Sequence, residues 1–320
     1  MVTARRTEEN IQDVPVAVTA FSQEGLRQRG IETGTDLQNF TPSLSVVGNT
    51  NRNQENYTIR GIGGSGSLGT GGGPGVVAYF AEVPSTASGP GLLFDLQSVQ
   101  VPKGPQGTLF GRNTTGGAVL LDPVKPGFER DGYIEGTIGN FSRRGGRGAV
   151  TLPLSDTLSL RLAGQVDQRD GFVTDINTGR DYNDRNNYSL RAGLLFQPND
   201  RISSYTAVNY VDIDEHGPGT VLLAVNPAGP AAGLLSPLLT AQQARGNDRI
   251  ALSANTRNVN RTLLALNNTT FRLTDAITLK NVVSYTRNRG DFASDGDAST
   301  LVINDLNGAL PGQWNANSET

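Results

Sequence analysis

The sequence predicts a small α+β domain followed by a run of antiparallel strands of the kind that builds a membrane barrel. Three observations carry this reading. Glycine supplies 40 of 320 residues and hydrophobic residues only 36%, against a usual glycine share of roughly 7%. From about residue 132, apolar and polar residues alternate in successive segments. The joints between those segments are alternately short and long. Alternation spreads an apolar face over every second residue, so a barrel needs no continuous apolar run. No window reaches the ~18 apolar residues of a transmembrane helix. Composition and alternation alone describe a soluble β-rich protein equally well. The joint asymmetry favours the barrel, because membrane barrels have short turns at one end and long loops at the other.

The front part, about residues 10–128, mixes short elements with long loops. VPVAVTAF (14–21) alternates and reads as a strand. SQEGLRQRG follows, with Ser22 as a helix N-cap and Gly30 as its stop. TDLQNF offers a capping box from Thr35 to Gln38 and a turn or two of helix before Pro42. LSVVG and YTIRGI read as strands, residues 63–75 as a glycine-rich loop, and VVAYFAEVP and LQSVQV as further strands.

In the second part, 129–320, candidate strands lie near 132–140, 146–153, 157–167, 187–196, 201–212, 261–272 and 277–288. The short joints PLSD, QPND and LTDA are turn-type tetrapeptides. The long joints cover 168–186, 213–260 and everything after 289, and SRRGG forms a short first hairpin turn. Leu158, Leu160, Leu162, Gly164 and Val166 share one face, while Ser159, Arg161, Ala163, Gln165 and Asp167 share the other. Tyr188, Leu190, Ala192, Leu194 and Phe196 repeat the pattern. Tyr133, Phe141, Phe172, Phe196, Tyr210, Phe271 and Tyr285 sit near strand ends, as interfacial girdles require.

Several chemistries are excluded. There is no cysteine, hence no disulfide or thiolate metal site. The single histidine, His216, rules out a histidine cluster, and a net charge of −3 gives no global pull on nucleic acid. GIGGSG (61–66) fits a dinucleotide glycine pattern, but SLGTGGGPG follows where a helix should cradle phosphate. No Ser/His/Asp or paired-acid arrangement suggests an enzyme, and no cofactor is expected. VTARRTEEN after Met1 shows no signal peptide, so the chain is expected to be cytoplasmic or to lack its true N-terminus.

Residues 101–119, VPKGPQGTLFGRNTTGGAV, place five glycines and two prolines around an apolar Leu109-Phe110. A linker would not carry that apolar centre, so the segment reads as folded, buried and full of tight turns. From Gly104 to Ala118 it resembles the plug signature of TonB-dependent outer-membrane receptors. The supporting stretches VTARRTEENIQDVPVAVTAFS, TPSLSV, NYTIRGIG and GPGVVAYFAEVP stand in the family's order. Ala81-Glu82 replaces the Asp-Gly usual in the last, so that turn departs from the family.

The resemblance implies an α+β plug domain (10–128) followed by antiparallel transmembrane β-barrel strands (129–320). This would be an incomplete barrel of about seven of the roughly 22 strands whose wide lumen such a plug fills. It implies uptake of a scarce solute, foremost a ferric siderophore, across the outer membrane. Cobalamin, a glycan or haem are the alternatives within the family, and a soluble β-rich binding protein the alternative outside it. The partners implied are a TonB-type energy-coupling protein, the small-molecule substrate and outer-membrane lipid, with no nucleic acid. Residues 1–9 would be a remnant of the TonB-box region, with Val2, Thr3 and Ala4 pairing with the coupling protein by strand addition. Arg60 and Arg112 would pair with barrel acids on strands beyond those present. Gly104, Pro105, Gly107, Gly111, Gly116 and Gly117 would turn the plug backbone sharply and let it pass close to the barrel wall. Asn51, Arg52, Asn53, Ser65 and Ser67, on outward-facing apices, would contact substrate.

Overall fold

The computed structural model describes residues 16–48, 55–63, 74–85, 91–302 and 305–308. The chain opens with β1 (Val18–Ser22), which starts later than the expected strand, and enters α1 (Gln23–Arg29). The Ser22 hydroxyl accepts the Gly25 amide, and Gly30 ends the helix at φ 62°, both as the sequence predicts. In α2 (Gly34–Phe40) the capping box lies at Thr33 and Asp36 rather than at Thr35 and Gln38. Thr33 is extended (φ −134°), and the Asp36 carboxylate accepts its amide at 2.9 Å. The short Asp side chain closes the box at the third helical position, which leaves Thr35 inside the helix.

Then come β2 (Leu44–Gly48), β3 (Glu55–Ile59), β4 (Val76–Phe80), β5 (Val83–Pro84), β6 (Leu96–Pro102), the single turn α3 (Gly107–Phe110) and β7 (Gly117–Pro123). The expected strand YTIRGI stops at Ile59 because Arg60 and Gly61 turn the chain at φ 52° and 77°. VVAYFAEVP is likewise broken at Ala81 and Glu82, both at positive φ. Five of these strands form one sheet in the order β1-β6-β7-β4-β5, with β4 and β7 parallel. β2 and β3 pair as a separate hairpin. The core gathers Leu26, Leu37, Ile59, Phe80, Val99 and Leu121, and it continues into Ala207, Leu264 and Leu266 of the strands that follow.

Those strands are long: β8 (Asp131–Gly139), β9 (Arg143–Ser155), β10 (Leu158–Arg169), β13 (Arg185–Asn199), β14 (Ile202–Glu215), β16 (Arg257–Arg272) and β17 (Thr278–Asp295). Inserted among them are β11 (Val173–Asp175), β12 (Asp181–Tyr182), α4 (Ala232–Arg245) and β15 (Arg249–Ile250), and the short β18 (Asp305–Gly308) follows. Sequence neighbours pair antiparallel in the order β18-β17-β16-β14-β13-β10-β9-β8, an open sheet. The first hairpin turn is Asn140–Ser142, not SRRGG, whose last four residues lie in β9. A tight hairpin needs consecutive residues at positive φ, which Phe141 (56°) and Ser142 (52°) provide. At the same end, β12, β11 and β15 form a small sheet over a core of Val173, Tyr182, Ile250 and Leu252.

Burial in this wall runs opposite to that of a soluble sheet. On β10, Ser159 (0%) and Arg161 (3%) are buried, while Leu162 and Val166 are each 43% exposed. Ile134 and Ile138 on β8 are 90% and 91% exposed. The polar face packs on the front domain and the apolar face is left outside. An exposed contiguous apolar surface of this kind needs a nonaqueous covering.

One glycine sets how closely domain and wall approach. Gly91 lies at φ 102°, and a Cβ there would come within 2.3 Å of Ser189 Oγ and 2.8 Å of Val211 Cγ1. Gly91→Val is expected to lower stability by about 1–3 kcal/mol through overpacking and backbone strain, read as a lower urea midpoint with an unchanged m-value.

Candidate functional site at the contact between domain and wall

The segment Gly91–Leu96 is wholly buried and presents both a carboxylate and a row of carbonyls to the wall. Asp95 sits at φ 49°, a backbone position that costs a non-glycine residue of order 1–3 kcal/mol. Its carboxylate accepts two hydrogen bonds from Arg161, from Nε at 2.8 Å and Nη2 at 2.5 Å. Both side chains are almost fully buried, 3% and 1% exposed. The third guanidinium nitrogen donates to Thr151 Oγ1 at 2.7 Å. Arg191 stands beside it on β13. It donates to the carbonyls of Phe94 (2.9 Å), Asp95 (3.3 Å) and Leu92 (3.3 Å) and to Asn209 Oδ1. Its guanidinium also lies 4.5 Å from the Phe94 ring centroid and 4.7 Å from that of Phe80. Two wall arginines thus hold one front-domain turn. A planar fork suits the task, since it satisfies several fixed acceptors at once.

Weaker contacts ring this centre. Arg143 reaches Glu32 and Asp167, each at 3.0 Å, and Arg147 reaches Glu135 at 2.6 Å. Arg27 also meets Glu135, at 3.2 Å. These pairs are partly exposed, so each is worth ~0–1 kcal/mol. Arg143, Arg147, Glu32 and Asp167 border a cavity of about 340 Å³ between α2, β3 and the wall. Elsewhere the Ala81-Glu82 turn keeps positive φ (48° and 73°) without the glycine usual there. The wall holds it from outside: Asn268 Nδ2 donates to the Ala81 carbonyl at 2.8 Å, and Lys280 Nζ to Glu82 at 2.5 Å.

Glu55 lines the same cavity and is buried. It accepts the Gly34 amide at 3.0 Å and the Tyr57 hydroxyl at 2.7 Å. Burial pushes its carboxyl up to about 7; the Tyr57 and Gly34 hydrogen bonds oppose this and the nearby Asp36 charge adds to it. The carboxylate thus tethers the start of α2 to the β2–β3 hairpin.

The signature residues fold as tight turns, but their close approaches are internal to the front domain. A Cβ on Gly116 would meet the Ile62 carbonyl at 2.8 Å, and one on Gly117 the Pro102 carbonyl at 2.5 Å. Among the described residues, these glycines meet the front domain itself and not the strands present. Gly91 does approach the strands present, because the turn that carries Asp95 begins there. Gly104 and Gly111 have φ of 103° and 83°, Gly107 opens α3, and Pro105 is exposed beside it. Phe110 is buried against Tyr79, whose hydroxyl donates to the Phe110 carbonyl at 2.5 Å.

Arg60 and Arg112 are exposed and join no ion pair among the described residues. Arg60 lies near Lys103, whose pKa is lowered by burial and then by that neighbouring charge. Val2, Thr3, Ala4, Asn51, Arg52, Asn53, Ser65 and Ser67 lie outside the described residues. His216 clasps the long loop, its Nδ1 lying 2.9 Å from the Asp181 carbonyl oxygen. Among the described residues no group of three His, Cys, Asp or Glu is placed to hold a metal ion.

Sequence reasoning missed Asp95, Arg191 and Gly91, and it recorded Arg161 only as a polar-face residue. An arginine central on the strand face that also carries Ser159, Ala163, Gln165 and Asp167 was the available signal.

Asp95→Asn or Arg161→Gln should each cost about 3–5 kcal/mol, since either removes the buried partner of a buried charge; after Asp95→Asn, Arg161 keeps only the exposed Asp131 carboxylate at 3.4 Å. The pair Asp95→Leu with Arg161→Met should cost less than the sum, as a double-mutant cycle in urea would read. For Glu55 the sign follows from a folded pKa raised above the ordinary value of 4.5. Its neutral form favours the fold, so its contribution is complete below that value and is lost as pH rises through 7. Front-domain protection in hydrogen exchange should fall between pH 5 and 8, and Glu55→Gln should flatten that dependence.

Comparison with known proteins accords with this architecture. Residues 10–118 match the family model described as the TonB-dependent receptor plug domain. The pesticin receptor of Yersinia enterocolitica is 29% identical over 170 residues, 52% of this chain and 24% of that protein. The iron-regulated outer membrane virulence protein of Vibrio cholerae is 29% identical over 212 residues, 62% of this chain and 31% of its own length. The chain thus spans about a quarter to a third of these curated relatives. The crystal structure of the ferric yersiniabactin uptake receptor from Yersinia pestis superposes with a TM-score of 0.74 at 18% identity, over 88% of this chain and 42% of that one. Residues 10–118 are therefore a TonB-dependent receptor plug domain, and the chain has the fold of such a receptor's plug and the first strands of its barrel.

Proposed function

We propose that the chain serves as the front part of an outer-membrane receptor that takes up a ferric siderophore, driven by a TonB-type coupling protein, with no catalytic step. One observation carries this reading: the plug is seated on the polar face of a sheet whose apolar face is left outside. That arrangement suits a stopper inside a lipid-embedded wall. The substrate class follows from the relatives, which include a ferrioxamine B receptor of Salmonella typhimurium.

In this proposal residues 10–128 are the movable element and 129–320 contribute wall. Substrate meets the plug around Asn51–Asn53, Ser65 and Ser67. Val2–Ala4 form part of the segment that the coupling protein grips, and Arg60 and Arg112 await acids on strands later in the barrel. The Asp95 turn is the contact that pulling must break. Short elements and few wall contacts near the signature leave the far side of the plug the easier one to open.

Removing residues 1–9 from the complete gene product should leave siderophore binding intact and abolish energised uptake, measured with radioiron-loaded siderophore in an iron-starved host. Binding without any dependence of uptake on the coupling protein would overturn the reading. The 320 residues alone should give no liposome conductance, because an open sheet edge cannot face lipid.

A further inference from the structure

The cavity beside Glu55 has a chemistry of its own. It holds about 340 Å³ between α2, β3 and the inward face of β8, β9, β10, β13 and β14. Of these strands only β8 is an edge of the sheet, and α2 and β3 close the other side. Arg143 opens β9 and Arg185 opens β13, so the cavity lies at the end of the wall that bears the long joints. In the sequence, Asn51–Asn53 stand just before Glu55.

The lining favours a cation. Carboxylates outnumber guanidinium groups by five to three, and still outnumber them when Glu55 is protonated. The guanidinium groups are already engaged. Arg143 pairs with Glu32 and Asp167, and Arg185 pairs with Asp167 at 3.0 Å. Arg147 pairs with Glu135 and, at 3.6 Å, with Glu32. An anion would have to break one of these pairs and then sit among the surplus acids.

A second observation is independent of charge. Asn187 lines the cavity at 4% exposure, and its carboxamide makes no hydrogen bond among the described residues. A buried amide in that state calls for a ligand or a reason. Gln165 and Thr137 line the same space, half-buried and likewise without a side-chain hydrogen bond among the described residues. Their oxygens, with the carboxylates of Glu55 and Glu215, suit a head that carries three donors and no acceptor. The volume stands at the small end of ligand pockets, so it fits one arm of a chelate rather than the whole.

We propose that this cavity is a subsite for a primary ammonium group at the end of one arm of the siderophore. The inference rests on the siderophore-uptake reading for the source of the amine, and on the cavity alone for the cation.

The test uses the complete gene product in neutral detergent. The probes are a radioiron-loaded linear trihydroxamate ending in a primary amine, the same complex with that amine acetylated, and n-butylammonium chloride. In filter binding the parent should hold the amine complex roughly tenfold or more tighter than the acetylated one, since a charged group then meets its acceptors. Asn187→Asp should widen that preference, and Asn187→Lys, which places a cation in the cavity, should erase it. If Asn187→Lys does not fold, Asn187→Leu should narrow the preference through loss of the amide oxygen. The proposal is overturned if the parent binds both complexes alike, or if the preference is untouched by substitution of Asn187. Binding of neither complex would sink the siderophore reading instead. Butylammonium then decides the cavity: a rise in melting temperature over equal sodium chloride, lost in the Asn187 variant, supports it, and no rise overturns it.

Discussion

The bidentate pair between Asp95 and Arg161, braced by Arg191, is the interaction on which the arrangement depends. It brings charge into a place where an unpaired ion would cost several kcal/mol. The cost is offset only because one turn at positive φ exposes a carboxylate and three carbonyls in a single direction. The wall answers with two guanidinium groups on neighbouring strands. Apolar packing alone would let the plug slide, because it is non-directional. The paired forks give the plug one register against the sheet.

That register explains the other contacts. Once the Gly91–Leu96 turn is fixed, the α1–α2 corner falls opposite Arg143 and Arg147, and the Ala81-Glu82 turn falls opposite Asn268 and Lys280. The outer ion pairs are partly solvated and cheap to break, whereas the central one is neither, and the Asn268–Ala81 hydrogen bond is buried with it. The contact is thus graded, with a strong pivot and weak margins. A load applied at one end of the plug would meet the weak contacts first.

Much of the architecture was legible in the chain. Period-two alternation located all seven long strands, because the pleat forces it wherever the two faces meet different media. Caps at Ser22 and Gly30 were legible because they are local. The box at Thr33 was misplaced by two residues because Thr and Gln at that spacing also satisfy the pattern. The first hairpin turn was misplaced because glycines drew attention to 145–146, while Phe141 and Ser142 adopted the positive φ. The central contact was invisible for another reason: Asp95 and Arg161 are 66 residues apart, and nothing local marks either as one of a pair.

The length of β16 and β17 has a consequence of its own. Eighteen residues of β17, at about 3.3 Å per residue and a tilt near 45°, climb roughly 40 Å, against an apolar band of about 25 Å. Some 15 Å of that ribbon therefore stands clear of the bilayer as a stiff parapet. The long joints after β10 and β14, with the small sheet of β11, β12 and β15, leave from this raised edge.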